Sequence, residues 1–349
     1  MKYLARSQFW SVLALLTLIL LGVALLSLAI GPTWVSPADV IRALSDPEDL
    51  GAIGDIVRRI RWPRIVLAGL VGACLSTSGV IFQALLRNPL ADPFILGVSG
   101  GAALGGIVVL SLGAGLGLGY GAVPVAGFLG CLVTTLLLYS MAGRGLRVSA
   151  TGLLLTGVVF NSLASAAIVF LASMAGLLES GRIFLWLIGN LSSARIDLWP
   201  WLLVFLSLGL ACAMPLARGL NALALGEETA EQLGVPTERM RRVLLISTSL
   251  MVGAAVSVAG LIGFVGLIIP HALRLILGPD HRLLIPSAAL GGAVFLIVCD
   301  TVARTLLGGR ELPVGAVTAL VGGPLFLYLL RSDRGRAVGA VVAQEVSSP

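Results

Sequence analysis

The segment GEETAEQLGVPTERMRR, residues 226–242, is a polar stretch between two long apolar runs. We call it the polar segment. Its seven charged side chains exclude it from the hydrocarbon core of a bilayer. Glu227 suits the start of one short helix, Gly234 its end, and Pro236 the start of a second, so we predict two short helices around a Gly-Val-Pro turn. Two interpretations stay open, a docking surface at the membrane boundary and a solvated loop with favourable caps.

The composition outside this segment is that of a membrane protein. Of 349 residues, 58% are hydrophobic and only 11% are charged, which excludes a soluble domain of ordinary composition. Uncharged runs of about 20 residues, the length that crosses a bilayer, recur along the whole chain. They are Trp10–Ile30, Ile65–Leu86, Ile95–Leu112, Val123–Met141, Leu153–Leu178, Leu198–Met214, Val243–Leu261, Leu283–Cys299 and Pro313–Leu330, with Val265–Leu277 as a shorter candidate. Continuous rather than alternating apolar character favours helices over a barrel. We therefore predict a single all-α polytopic domain over residues 1–349 with about ten transmembrane helices.

The distribution of basic residues predicts the orientation. With ten spans, both termini share one side, and 14 of the 23 basic residues fall on it. Those residues are Lys2, Arg6, Arg87, Arg144, Arg147, Arg218, Arg239, Arg241, Arg242, Arg274, Arg282, Arg331, Arg334 and Arg336. By the positive-inside rule that side, which includes the polar segment, is cytoplasmic.

Four arginines, which we call the arginine cluster, depart from this rule. They are Arg58, Arg59, Arg61 and Arg64, just before the second predicted span and on the external side. A partner protein with carboxylates would explain them, because guanidinium groups bind carboxylates through two parallel hydrogen bonds. Pairing within the same loop is the alternative, with Asp46, Glu48, Asp49 and Asp55 available.

Small residues mark two further spans. Gly97, Gly101 and Gly105 recur every four residues, which predicts one face of a helix in close contact with a neighbour. The fifth span is rich in serine and alanine, which is compatible both with tight packing and with the lining of a wide conduit. Near the end of the ninth span, Asp300 and Arg304 are four residues apart and are predicted to pair.

The sequence lacks the common catalytic motifs. It contains no H-E-x-x-H, no G-x-S-x-G and no Cys/His spacing typical of a metal site, and its four cysteines fall inside apolar spans. We therefore predict no catalytic residue, metal or cofactor. Lys2 is the only lysine, so the chain has no Walker A motif, and any ATP-driven function requires a separate ATPase subunit.

Five motifs then resemble a known family. They are RWPR (61–64), QALLRNPLADPFILGVSGGAALG (83–105), GEETAEQLGV (226–235), GFVGLIIPHALR (263–274) and ELPVGAVTALVGGPLF (311–326). In this order, and over nearly the whole chain, they resemble the permease subunits of bacterial type II ABC importers of the FecCD type. Those importers carry cobalamin, haem and ferric siderophores, and the motifs do not decide among the three.

The resemblance implies a ten-helix permease of the inner membrane with both termini in the cytoplasm. It implies a homodimer with the conduit on its axis. Through this conduit haem, a ferric siderophore or cobalamin is imported. Two cytoplasmic ATPase subunits would bind coupling helices at about residues 219–240, and a periplasmic substrate-binding protein would deliver the cargo.

The resemblance also assigns residues to three sites. The ATPase-coupling residues are Gly226, Glu227, Glu228, Ala230, Leu233, Gly234 and Val235. The residues that dock the binding protein are Arg61, Arg64 and Arg304, with Arg58 and Arg59 outside the family pattern. The gate residues are Asn88 and Leu90 after the second span, and Ser149 and Thr151 before the fifth.

Two other classes of protein remain as alternatives. An ion-coupled secondary transporter predicts uptake that survives ATP depletion and stops when the ion gradient collapses. It is disfavoured because the span centres lack the buried ionisable pairs typical of ion coupling. A membrane enzyme is disfavoured by the missing catalytic motifs.

Overall fold

The structure is a computed structural model that describes residues 6–45, 51–94, 96–112, 117, 121–144, 147–148, 150–191, 196–307 and 311–346. The described chain is helical except for loops and one short hairpin. In that hairpin, β1 (Gly143–Arg144) pairs antiparallel with β2 (Arg147–Val148). The prediction of an all-α fold is confirmed.

The helices follow one another with short connections. In chain order they are α1 (Arg6–Ala29), α2 (Pro37–Ser45), α3 (Gly51–Asp55), α4 (Trp62–Leu85), α5 (Val98–Leu112), α6 (Ala122–Ala142), α7 (Ala150–Met174), α8 (Leu177–Ile188), α9 (Trp199–Leu223), α10 (Glu227–Gln232), α11 (Thr237–Ala259), α12 (Val265–Leu277), α13 (His281–Thr305) and α14 (Val314–Val346). A π-helical turn, Ile56–Arg61, joins α3 to α4, and a 3₁₀ turn, Ile196–Leu198, precedes α9.

The number of apolar helices agrees with the sequence. Within the described residues, seven helices are long and apolar enough to cross a membrane. Three shorter apolar helices, Val98–Leu112, Val265–Leu277 and Val314–Leu329, bring the total to ten. The shorter candidate Val265–Leu277 is therefore a helix with the predicted bounds.

The start of the second span was predicted wrongly. The sequence placed the arginine cluster in a loop before Ile65, whereas the helix is continuous for 35 residues from Gly51 to Leu85 and carries all four arginines. Arginines are tolerated in this part of the helix because two of their guanidinium groups have acceptors inside the protein, as described below. A π turn in such a position widens the helix and redirects its side chains.

The centre of the bundle is an antiparallel pair of helices, α4 and α13. Gly72 of α4 faces Gly292 of α13, and a Cβ atom on either residue would lie 2.2 or 2.3 Å from the carbonyl oxygen of the other. Further along α4, a Cβ on Gly79 would collide with the carbonyl oxygen of Gly266 in α12. Glycine thus allows three backbones to approach closely, as is common where helices pack in membranes.

The glycine face predicted on α5 is confirmed for two of its three members. Gly101 packs against Thr134, and Gly105 packs against the backbone of Ala126, both on α6. Gly97 lies just before α5, has a φ of 83° and approaches the backbone of Gly157 in α7 instead. The repeat therefore joins α5 to two neighbours rather than to one.

One junction inside the bundle is not helical. The amide of Asn190 donates to the carbonyl of Ala259, and the amide of Gly315 donates to the carbonyl of Gly189. The ends of α8 and α11 and the start of α14 meet there. Such backbone is compatible with a membrane protein because its polar groups bond to one another within the protein.

Candidate functional site

The polar segment folds as one short helix followed by a tight turn. Gly226 and Gly234, with φ values of 123° and 80°, flank α10 and adopt a conformation that other residues rarely reach. After α10 the amide of Gly234 donates to the carbonyl of Glu231, and the amide of Val235 donates to that of Ala230. These bonds satisfy carbonyls that the helix end leaves unpaired.

The prediction of a second short helix was wrong. Thr237 begins α11, which continues without a break to Ala259 as a membrane span. Residues 219–223 likewise belong to the end of α9 rather than to a separate coupling helix. The polar segment is therefore α10, a turn and the first turns of a span, so displacement of its second half displaces α11 directly.

A buried arginine fixes α10 to α11. Arg241 donates to Glu238 at 2.9 Å and to Glu227, the first residue of α10, at 3.0 Å. The side chain of Arg241 is buried, whereas both glutamates are partly exposed. The methyl group of Ala230 is buried beneath α10. Since both contacts hold α10 against the bundle, the short helix is a fixed feature of the surface.

The predicted coupling residues divide by exposure. Glu228, Leu233 and Gly234 are exposed, while Gly226, Glu227 and Val235 are half-buried and Ala230 is buried. Sequence reasoning missed Leu225, which precedes α10 and is 59% exposed, while Leu233 follows α10 and is 65% exposed. Two exposed leucines around a short polar helix form a surface suited to a protein partner. The coupling role of this surface stays a prediction.

The first predicted gate lies in the loop between α4 and α5. Arg87 opens this loop with a φ of 48°. The side chain of Asn88 accepts a hydrogen bond from the amide of Leu90 at 2.9 Å, and Leu90 is exposed. Asn161 of α7 donates its amide to the carbonyl of Phe94, which ties the loop to α7.

The second predicted gate is described only in part. Thr151 lies in the first turn of α7, and Ser149 lies outside the described residues. The gate assignments stay predictions.

A buried carboxyl group lies in the same α4–α5 loop and was missed by the sequence analysis. Asp92 accepts a hydrogen bond from the amide of Phe94 at 2.7 Å. Burial raises its pKa to about 6, and this hydrogen bond only partly opposes the rise. Asp92 therefore changes charge near neutral pH beside the predicted gate.

We expect Asp92→Asn to reveal this titration in the stability of the protein. Because burial raises the folded-state pKa, the charged form costs on the order of 3 kcal/mol above pH 6, and this cost vanishes as the pH falls. The variant should therefore gain stability over the wild type at pH 8 and lose about half of that gain at pH 5. Thermal unfolding of both proteins in detergent measures the difference.

Asp280→Asn is the control for this titration. Burial raises the pKa of Asp280, but hydrogen bonds from Arg282 and Asn221 outweigh burial and hold it at about 2. The contribution of Asp280 to the stability of the protein is thus constant between pH 5 and pH 8. A constant difference between Asp92→Asn and the wild type over this range would refute the account of Asp92.

The three arginines predicted to dock a binding protein lie at the opposite end of the bundle, Arg61 and Arg64 at the start of α4 and Arg304 at the end of α13. Arg61 is buried and donates to the carbonyl oxygens of Leu28 at 2.6 Å, Ala29 at 3.1 Å and Thr33 at 2.5 Å. Its guanidinium therefore fixes the end of α1 and the chain that follows. A guanidinium group with three carbonyl acceptors is satisfied without any partner protein.

Arg64 and Arg304 share one buried carboxylate. Arg64 binds Asp300 at 2.9 Å on its inner side and Glu311 at 2.9 Å on its outer side. Arg304 binds the same Asp300 at 3.2 Å, as the sequence predicted, and donates to the hydroxyl of Ser27. The network joins α1, α4, α13 and the segment before α14. Asp300 is only 1% exposed, whereas Glu311 is 39% exposed at the rim.

The other two arginines of the cluster are solvent-exposed or partly so. Arg59 pairs with Asp55 across one helical turn at 3.0 Å, so the predicted alternative of local pairing holds for this residue. Arg58 donates to the carbonyl of Gly54. Asp46, Glu48 and Asp49 lie outside the described residues. The docking assignment stays a prediction, and within the single chain its three residues are buried.

A further polar contact lies at the other end of α13, near the polar segment. The side chain of Asn221, close to the end of α9, donates to Asp280 at 2.8 Å and accepts from the amide of His281 at 2.9 Å. Asp280 also caps α13 by accepting from the amide of Arg282. From Asp280 to Asp300, α13 extends about 30 Å at 1.5 Å per residue. One continuous helix, with Pro286 in its second turn, thus connects the two polar ends of the bundle.

The fold is that of an ABC importer permease. A solved metal-chelate type ABC transporter in an inward-facing conformation superposes with a TM-score of 0.82 at 31% identity, covering 92% of this chain and 99% of that one. The family model that describes the FecCD transport family matches residues 18–332, and the chain belongs to this family.

Two curated relatives are permeases of named import systems. The Hemin transport system permease protein HmuU of Yersinia pestis is 40% identical over 339 residues, 96% of this chain and 99% of that protein. The Cobalamin import system permease protein BtuC of Halobacterium salinarum is 44% identical over 283 residues, 81% of this chain and 75% of that protein. The chain is accordingly a multi-pass transport subunit.

Proposed function

We propose that two copies of this chain form the permease of an ATP-driven importer, which moves haem, a ferric siderophore or cobalamin across the inner membrane into the cytoplasm. The observation that carries the proposal is the polar segment. It presents a fixed helix with exposed leucines, in a chain whose single lysine excludes a Walker A motif. The names of the relatives support haem and cobalamin as cargo classes.

The proposed mechanism begins at α10. A separate ATPase subunit on the cytoplasmic side binds the exposed face of α10, and closure of two such subunits displaces it. Arg241 transmits the displacement to α11. Because α10 follows α9, the contact of Asn221 in α9 with Asp280 transmits the displacement to α13. These helices then bias the conduit between inward and outward states, a change driven by the difference in ATPase contacts between those states.

We place the conduit along the exposed face of α7. Ser162, Ser165, Ala166 and Ser173 are exposed within this apolar span. Ser162 donates its hydroxyl to the carbonyl of Val158, so the helix itself satisfies it. Small side chains thus lie between the exposed Leu163, Val169 and Phe170 of the same helix, and they leave room for a large cargo between two copies of the chain while offering few groups that would retain it.

Access to water tests this placement. In a variant without the partly exposed Cys212, we expect Ser165→Cys to react with a water-soluble maleimide. Leu208→Cys on α9 is the control, because it is exposed and, like Ser165, lies 15 residues, about 22 Å, from the same end of the bundle. If Leu208 faces lipid, its variant stays unmodified. Equal labelling of the two variants would contradict the placement.

We propose that the binding protein docks over the network of Arg64. The inner side of this guanidinium is held by buried Asp300, and the outer side is held by Glu311 at the rim. A carboxylate of the partner can replace Glu311 while Asp300 keeps Arg64 in place. Arg61 and Arg304 support the same surface from beneath.

This exchange predicts opposite effects for the two members of the ion pair. Glu311→Gln removes the competing carboxylate and should tighten docking of the binding protein, whereas Arg64→Lys removes the bidentate geometry and should weaken it. Both effects should shrink at high salt. Asp55→Asn at the same end controls for the loss of one negative charge. Weaker docking by Glu311→Gln would refute the exchange.

A further inference from the structure

A cavity of about 200 Å³ lies near the polar segment, between the helices rather than on the surface of α10. Its walls come from α5, α6, α7 and α11. The buried residues that line it include Val98, Thr135, Leu138, Leu153, Leu245 and Ser249. Almost all of this lining is apolar, and apolar cavities of such size accept apolar ligands.

The mouth of the cavity faces outward between α6 and α11. Leu136 is 57% exposed on one side of it, and Ile246 is 39% exposed on the other. Both helices are apolar spans of a membrane protein. Exposed leucine and isoleucine on such spans suit contact with lipid chains, so an acyl chain is the ligand whose chemistry matches this opening.

Arg242 and Tyr139 lie at the mouth of the cavity. Arg242 donates through Nε to the hydroxyl of Tyr139 at 2.7 Å, and its guanidinium carbon lies 5.6 Å from the centre of the tyrosine ring. This distance is within the range of a cation–π contact, so the guanidinium has a fixed position. In the part of the chain that the structure describes, the recorded contacts of Arg242 leave its two terminal nitrogens available.

We propose that the cavity and Arg242 together bind an anionic phospholipid. One acyl chain enters between Leu136 and Ile246, and the phosphate accepts hydrogen bonds from the terminal nitrogens of Arg242. The hydroxyl of Tyr139 accepts from Arg242 and so can donate its own proton to the phosphate. Basic pockets between spans on the cytoplasmic side bind anionic headgroups by the same chemistry. The site is independent of the cargo of the importer.

Lipid selectivity of the full chain tests the headgroup contact. Purified, delipidated protein is titrated in detergent with dioleoylphosphatidylglycerol or dioleoylphosphatidylcholine, and bound lipid is counted by native mass spectrometry. We expect the wild type to prefer the anionic lipid. Arg242→Gln should reduce this preference about fivefold, the attraction of one basic residue to anionic lipid. Arg242 is exposed, so its replacement leaves the packed core intact.

Two further variants complete the test. Arg218→Gln makes the same charge change at an exposed arginine of α9 at the same end of the bundle, and it should keep the preference. Thr135→Leu fills the cavity and should weaken binding of both lipids. The proposal is overturned if Arg242→Gln retains the wild-type preference for the anionic lipid, or if Arg218→Gln loses as much of that preference as Arg242→Gln does. It is also overturned if Thr135→Leu is folded and binds both lipids like the wild type.

Discussion

Leu233→Glu is expected to weaken assembly of the permease with its ATPase about thirtyfold or more, the effect of losing one dominant interface residue. Leu233 follows α10 directly and is 65% exposed, while Ala230 and Arg241 hold the helix from beneath. The substitution therefore changes the proposed docking surface and leaves the packing of the chain unchanged. Co-purification with the ATPase and the binding rate on a sensor surface both measure the effect.

Leu306→Glu is the matched control. Leu306 is also 65% exposed and also follows a helix directly, but it lies at the end of α13 near Asp300, at the opposite end of the bundle. We expect this variant to bind the ATPase like the wild type. The proposed docking surface is wrong if both variants lose the ATPase equally, or if Leu233→Glu retains it.

Asp300→Asn is expected to destabilise the protein by about 3–5 kcal/mol, the range seen when one member of a buried ion pair is removed. The carboxylate of Asp300 is 1% exposed and neutralises two buried guanidinium groups, those of Arg64 and Arg304. Its amide replacement leaves Arg64 with Glu311 alone and leaves Arg304 without a carboxylate. Thermal unfolding in detergent should show a large fall in the transition temperature.

Asp55→Asn provides the comparison, because Asp55 and Arg59 form the same kind of pair across one helical turn at the protein surface. Its loss should cost less than about 1 kcal/mol. Asp300→Asn combined with Arg304→Gln should be less damaging than the sum of the two single changes, since the second change removes an uncompensated charge. Equal losses of stability in Asp300→Asn and Asp55→Asn would show that burial does not increase the contribution of the ion pair to stability.

The spans and the polar segment could be predicted from the sequence because both depend on local composition. An apolar run of about 20 residues crosses a bilayer whatever its neighbours are. The run Val265–Leu277 is shorter, at 13 residues, and it was retained because an even number of spans keeps the basic residues on one side. The helix boundaries did not follow from composition in the same way. The first turns of α11 are polar, so hydropathy started that span at Val243, six residues after the helix begins at Thr237.

The partners of the buried arginines could not be predicted, since they are distant in sequence or carry no sequence signal. Asp300 is 236 residues from Arg64, and the acceptors of Arg61 are backbone carbonyls that any residue provides. From the sequence alone, these arginines therefore fit a partner protein, and their acceptors inside the chain carry no signal. The pair of Asp300 and Arg304 was found because one helical turn separates them.

Uptake into proteoliposomes that contain the permease, its ATPase and its binding protein tests the central claim most directly. The account predicts accumulation of cargo that requires ATP on the side of the polar segment, persists when proton and sodium gradients are collapsed, and is lost with Leu233→Glu. Uptake that continues without ATP and stops when an ion gradient is removed would contradict it.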